Sequence, residues 1–271
     1  MHPNFAFSAR QILWVLTFSS QLVLLVVLLG RDRARRYPWF TASIALFALR
    51  LLAEDLLAGR MAPLPLQEIL LTLADLAAIV SLLVVIEVAR RAFEGARRSL
   101  WVVNAAGLAA VAGVLVFLWG PWPAAKELAM DSTLGVLRVM QFSAQKLDTF
   151  VDLLTVGLGL AVILFGRRFK AGWGTHNQKI AIGLSTISVA WIAIQRSWQL
   201  VAQSVHPSTQ QEYERLMALG GKLVNANKVV YIGVLLWWII WLWIDEHGKT
   251  AANLELTEEI PADSAQNPPE D

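Results

Sequence analysis

The residues of this chain best suited to chemistry are charged and amide side chains inside long apolar stretches. The clearest set recurs at spacings of three and four residues, which is the spacing of one face of a helix. Its members are Arg138, Gln141, Gln145, Asp148, Asp152 and Thr155. A polar stripe on an otherwise apolar helix must face protein or water, because lipid solvates charge poorly. The stripe therefore predicts a helix that lines an interior site.

Other apolar stretches carry charges as well, and Arg50 and Glu54 stand four residues apart, so that we expect both to face the interior. An isolated charge at the centre of a bilayer costs at least ~2.5–3.5 kcal/mol, so such charges must pair, protonate or face water. We therefore predict a polar, charge-lined ligand-binding pocket. Its predicted residues are Arg50, Glu54, Asp75, Gln145, Asp148, Asp152, Arg196, Gln199, Asn225 and Lys228.

The elements that carry these side chains are predicted to be membrane-spanning helices. Of the 271 residues, 56% are hydrophobic and 16% charged, which places the chain in the membrane class. Seven stretches approach the roughly 20 apolar residues that a spanning helix needs. The predicted spans are 9–30, 39–58, 66–89, 100–119, one within 133–166, 180–201 and 223–244. We expect an all-α, polytopic seven-helix bundle at 1–245 and a disordered acidic tail at 246–271.

The distribution of basic residues predicts how the bundle is oriented. Segments 31–38, 90–98 and 167–179 hold four basic residues each, whereas the alternate loops hold one each. By the positive-inside rule the N-terminus lies outside and the C-terminus in the cytoplasm. Four tryptophans within 237–243 fit an aromatic belt at the cytoplasmic interface. The Ala/Leu/Arg-rich composition and the short loops favour the cytoplasmic membrane of a bacterium.

The depth of the charges follows from this orientation and a rise of about 1.5 Å per residue. The charges of the predicted pocket fall in the middle or the outer half of their helices. Glu87 is the exception, and an interfacial ion pair with Arg90 and Arg91 accounts for it. The half nearer the cytoplasm holds mainly aliphatic side chains, so we expect it to be closed.

The sequence lacks the residue patterns of the common catalytic mechanisms. There is no cysteine, and His2, His176, His206 and His247 all fall in predicted loops or tails. The metalloprotease, P-loop and nucleophile-elbow motifs are missing as well. We expect no enzymatic activity, no metal site and no cofactor. The basic residues belong to predicted cytoplasmic loops, so we expect no nucleic-acid partner.

The pattern favours a receptor- or sensor-like binding protein in the lipid bilayer. Its ligand would be a small polar or zwitterionic solute that enters from the outside. A cytoplasmic protein partner could contact the basic segments 31–38, 90–98 and 167–179. Two alternatives stay open: a small-solute or proton-coupled transporter that uses the same charges, and a structural or assembly subunit whose buried ion pairs only fix the helix register.

Overall fold

The computed structural model describes residues 9–93, 98–118, 122, 133–165, 175–205 and 209–244, and all regular structure in these ranges is helical. The expected all-α class is thereby confirmed. Segment 246–271, the predicted tail, lies outside the described residues. The helices are α1 (Ala9–Gly30), α2 (Arg33–Arg36), α3 (Pro38–Leu57), α4 (Pro63–Ala92), α5 (Arg98–Leu118), α6 (Thr133–Phe165), α7 (His176–Ser204) and α8 (Gln210–Trp243).

Five of these helices, α1, α4, α6, α7 and α8, are long and apolar enough to cross a membrane. Helix α3 has the length, but Arg50, Glu54 and Asp55 interrupt its apolar sequence. In α5 the side chains are described over Ala105–Leu118, and this part is apolar. The chain is thus compatible with a multi-pass membrane protein. Each of the seven predicted spans coincides with one helix, and seven crossings stay a prediction.

The helices pack as a closed ring. In order around the ring, α1 contacts α3, α3 contacts α4, α4 contacts α6, α6 contacts α7, α7 contacts α8, and α8 returns to α1. Helix α4 also reaches across to α7, while α5 packs on α6 from outside the ring. The short helix α2 joins α1 to α3 and contacts both. Residues on the inner faces of α4, α6 and α7 are therefore close to one another, and α3 lies beside α4.

The densest packing lies at the end of the ring where α1, α4, α6 and α8 finish and α3 and α7 begin. We call it the arginine-rich end, because segments 31–36 and 90–91 lie there. Fully buried apolar side chains fill this half of the ring. They are Leu24, Leu28, Phe40, Val84, Val88, Leu158, Val162, Ile180, Leu235, Trp238 and Leu242, here called the apolar plug.

Two glycines allow the helices around the apolar plug to approach closely. A Cβ atom on Gly159 of α6 would collide with the side chain of Ser185 on α7, and one on Gly183 of α7 would collide with the Trp238 ring on α8. Small residues at helix contacts are typical of membrane bundles, in which van der Waals packing holds the helices together.

Many apolar side chains are exposed on the outer surface of the bundle. Val26 and Leu29 on α1 are 67% and 65% exposed, and Leu164 on α6 is 68% exposed. Apolar side chains suit contact with lipid, and the helices that carry them satisfy their backbone hydrogen bonds internally, so that they need no water in the membrane. The apolar helices thus indicate contact with a lipid bilayer.

Candidate functional site

Four polar residues of the ring lie at one level. Arg50 follows the start of α3 by 12 residues and Ser188 follows the start of α7 by 12. Asp152 precedes the end of α6 by 13 residues and Tyr231 precedes the end of α8 by 12. At about 1.5 Å per residue, each lies roughly 18–20 Å from the arginine-rich end. These four residues thus lie just beyond the apolar plug, on the side away from the arginine-rich end.

Three carboxyl groups gather at and just above this level, and we call Asp75, Asp148 and Asp152 the carboxylate cluster. Asp152 on α6 is hydrogen-bonded to the Ser188 hydroxyl on α7. Asp148 lies on the same face of α6, one turn further from the arginine-rich end. It interacts electrostatically with Asp152, with Arg50 on α3 and with Asp75 on α4. Four helices of the ring therefore supply the groups of this cluster and its partners.

The charges within the cluster do not balance. When ionised, the three carboxylates carry −3, and among the described residues Arg50 is the basic group that interacts with one of them, Asp148. All three acids are partly buried. Carboxylates held close together favour a cationic neighbour, because like charges in a poorly solvated site repel one another. The arrangement suits a solute with a positively charged group.

Two residues of the predicted pocket face away from the carboxylate cluster. Glu54 was expected to look inward with Arg50, but its side chain is 54% exposed and forms an ion pair with Arg10 of α1 at 3.7 Å. Arg196 was expected in the interior, but it is exposed and its Nη1 donates to Oε1 of Gln199 at 3.2 Å. The rotation of α3 and α7 about their axes sets these directions, and helical spacing alone does not fix it.

The remaining residues of the predicted pocket lie around the ring. Gln145 on α6 is exposed, whereas Gln199 on α7 is half-buried. Asn225 and Lys228 on α8 are half-buried too. Helix α8 packs against α1 and α7, so these two residues belong to a different wall from the one that carries the carboxylate cluster.

A second polar contact, between α1 and α8, was missed by the sequence prediction. Gln21 is 2% exposed, and its Nε2 donates to the Tyr231 hydroxyl at 3.0 Å. The Oε1 of Gln21 and the Oδ1 of Asn227 are buried without a hydrogen-bond partner among the described residues. A signal was present, because Thr17, Ser20 and Gln21 share one face of an otherwise apolar span.

Glu87 has a larger role than the predicted ion pair. Its Oε1 lies 3.8 Å from Nη2 of Arg91, as that prediction requires. The carboxylate is buried, however, and its Oε2 accepts a hydrogen bond from the backbone N–H of Phe40 at 3.1 Å. This N–H belongs to the first turn of α3, which begins at Pro38, so it has no intrahelical partner. Glu87 of α4 therefore caps α3.

The histidine prediction was wrong for His176. It is the first residue of α7 rather than a loop residue, and it is 4% exposed. Asn177 beside it is equally buried and donates from Nδ2 to the Val88 carbonyl oxygen at 3.2 Å. The other three histidines lie outside the described residues. Within the described ranges no three His, Cys, Asp or Glu side chains are grouped so as to hold a metal ion.

Comparisons of the chain with protein-family models, with curated proteins and with solved structures found no match. The function is therefore argued from the chemistry of these side chains.

Proposed function

We propose that the chain is a seven-span, non-enzymatic binding protein of the cytoplasmic membrane, receptor- or sensor-like, with its N-terminus outside. Its ligand is a small solute that carries a positively charged group and binds at the carboxylate cluster. The observation that supports this proposal is the electrostatic interaction of Asp148 with two other acids, Asp75 and Asp152, and with one basic residue among the described residues, Arg50. The sequence predicted a small polar or zwitterionic ligand. The proposal restricts this class to solutes with an accessible cationic group.

The packing of the ring supports entry from the end opposite the arginine-rich end. The apolar plug separates the carboxylate cluster from the arginine-rich end, since its residues Leu158, Val162 and Ile180 are at most 3% exposed. On α8, the buried residues begin only at Val234, and the turns before it are exposed or half-buried. By the positive-inside rule the open end faces outside. A signal would then pass through a cytoplasmic partner on segments 31–38, 90–98 and 167–179.

Binding can be tested on the full chain in detergent micelles. Primary alkylamines and diamines are added while the unfolding temperature is followed, with alcohols of the same chain length as uncharged controls. A ligand present at 100 times its Kd stabilises by about 2.7 kcal/mol. Amines should raise the unfolding temperature, and alcohols should not. No stabilisation by any cationic solute would contradict the proposed ligand class.

Variants then test the place of binding. Asp148→Asn and Asp152→Asn should each weaken amine binding by tenfold or more, because each removes a carboxylate from a partly buried site. Asp55→Asn is the matched control, since Asp55 is an exposed acid on α3. Equal losses in all three variants would refute the assignment. If the two cluster variants fail to fold and the control folds, the acids fix the helix register, as the structural alternative holds.

A second candidate function, transport, has one observation in its favour. The Ser185 hydroxyl donates to the Thr155 carbonyl oxygen at 2.8 Å, one turn nearer the arginine-rich end than Asp152 and Ser188. Polar groups thus continue a short way below the carboxylate cluster between α6 and α7. In sealed proteoliposomes, amine uptake that Asp152→Asn abolishes would establish a transporter. Binding without uptake would leave the receptor-like function.

A further inference from the structure

Two cations flank the last turns of α8 at the arginine-rich end. Nζ of Lys179, near the start of α7, lies 3.9 Å from the centroid of the Trp241 ring and 5.4 Å from that of Trp237. The guanidinium of Arg31, just after α1, lies 4.7 Å from the centroid of the Trp243 ring. The face of an aromatic ring attracts a cation, so these contacts hold both positive charges beside the same helix end.

Buried contacts of α8 hold the start of α7, which carries Lys179, in place. Trp238 is 1% exposed, packs edge-on against Phe40 at a centroid distance of 4.9 Å, and donates from Nε1 to the Lys179 carbonyl oxygen at 3.2 Å. The start of α7 is thereby held against α8. Lys179 lies on the α7 side of α8, and Arg31 lies on the α1 side, because α1 and α7 are the two neighbours of α8 in the ring.

An apolar strip of α8 is exposed next to the two cations. Leu236 and Ile240 stand four residues apart on α8 and are 50% and 58% exposed. Trp243, at the foot of the strip, is 55% exposed. The surface thus joins an apolar strip of at least one helical turn to two positive charges near its end.

We propose that this surface, which we call the α8 lipid face, binds an anionic phospholipid. The acyl chain lies along Leu236 and Ile240, and the headgroup phosphate lies at the helix end near Lys179 and Arg31. Basic residues attract anionic lipid headgroups, by about 1 kcal/mol each near the membrane surface. A zwitterionic lipid has no net charge and gains less from these cations. The proposal is independent of the solute that binds at the carboxylate cluster.

Native mass spectrometry of the full chain tests the proposal. Detergent-solubilised protein is titrated with phosphatidylglycerol and, separately, with phosphatidylcholine of the same acyl chains. Wild type should bind phosphatidylglycerol more tightly. Lys179→Gln and Arg31→Gln should each weaken phosphatidylglycerol binding about fivefold, and Lys179→Arg should retain it. Arg60→Gln is the matched control, because Arg60 is an exposed cation that follows α3 at the opposite end of the bundle.

Two results would overturn the proposal. One is equal affinity of wild type for the two lipids. The other is a loss in Lys179→Gln and Arg31→Gln no greater than the loss in Arg60→Gln, which would indicate general attraction to a basic protein. Unfolding temperatures measured with and without phosphatidylglycerol provide a second readout, and at the same lipid concentration chains with both cations should be stabilised more than Lys179→Gln or Arg31→Gln. If one of the two variants, Lys179→Gln or Arg31→Gln, does not fold, the other variant still tests the surface.

Discussion

Replacing Glu87 with alanine should destabilise the bundle strongly, although Glu87 lies far from the carboxylate cluster. The substitution removes an acceptor for the Phe40 N–H at 3.1 Å and the ion-pair partner of Arg91 at 3.8 Å. The N–H would be left buried in the first turn of α3, with Pro38 as its first residue. A buried donor without a partner costs its full desolvation penalty.

The size of the effect follows from these contacts. A hydrogen bond to a charged group contributes about 1.5–3 kcal/mol. The ion pair adds at most about 1 kcal/mol, because the Arg91 side chain is 34% exposed and solvent screens it. We expect Glu87→Ala to cost roughly 2–4 kcal/mol, or about 4–16 °C in unfolding temperature for a chain of this size class. Glu87→Gln keeps a neutral acceptor and should cost about 1 kcal/mol.

Thermal unfolding in detergent micelles, followed by tryptophan fluorescence, measures this, since the chain has 12 tryptophans. Glu68→Ala is the control, because Glu68 is an exposed glutamate near the opposite end of the same helix. Exposed substitutions of this kind usually stay within about 0.5 kcal/mol. The capping argument fails if Glu87→Ala lowers the unfolding temperature no more than Glu68→Ala does.

Two further predictions concern helix contacts, and both use the same thermal assay. Gly159→Ala should destabilise by about 1–3 kcal/mol, because its Cβ collides with Ser185, whereas Gly113→Ala meets no atom within 4 Å and should be neutral or stabilising; equal effects would contradict the close approach of α6 and α7. Tyr231→Phe should destabilise more than Gln21→Leu, because the first leaves the whole buried amide without a partner. The reverse order would show that the amide finds another donor or acceptor.

The sequence predicted the helices well and the directions of their side chains less well. Apolar stretches of about 20 residues mark the helices directly, since backbone in lipid must be helical or closed into a barrel. A rise of about 1.5 Å per residue then gives the level of a residue. Asp75 and Asp148 each precede the end of their helix by 17 residues, and the two interact electrostatically in the structure. Whether these residues bind a solute stays a prediction.

The rotation of each helix depends on packing that no single segment encodes. Glu54 turns to Arg10 because the last turn of α3 lies beside the start of α1. The capping of α3 by Glu87 likewise depends on where α4 ends relative to α3. Gln21 was predictable, since it shares a polar face with Thr17 and Ser20. Its partner Tyr231, 210 residues later, was not.

The closure of the ring by its first and last helices has a consequence for biogenesis. The hydrogen bond between Gln21 and Tyr231 joins residues 210 positions apart. At about 5–20 residues per second, a ribosome takes roughly 10–40 s to synthesise the chain between them. During that interval the face of α1 that packs against α8 is uncovered, and the Gln21 amide lacks its hydrogen-bond acceptor. A chain truncated before α8 lacks the Tyr231 acceptor and leaves the face of α1 that packs against α8 uncovered.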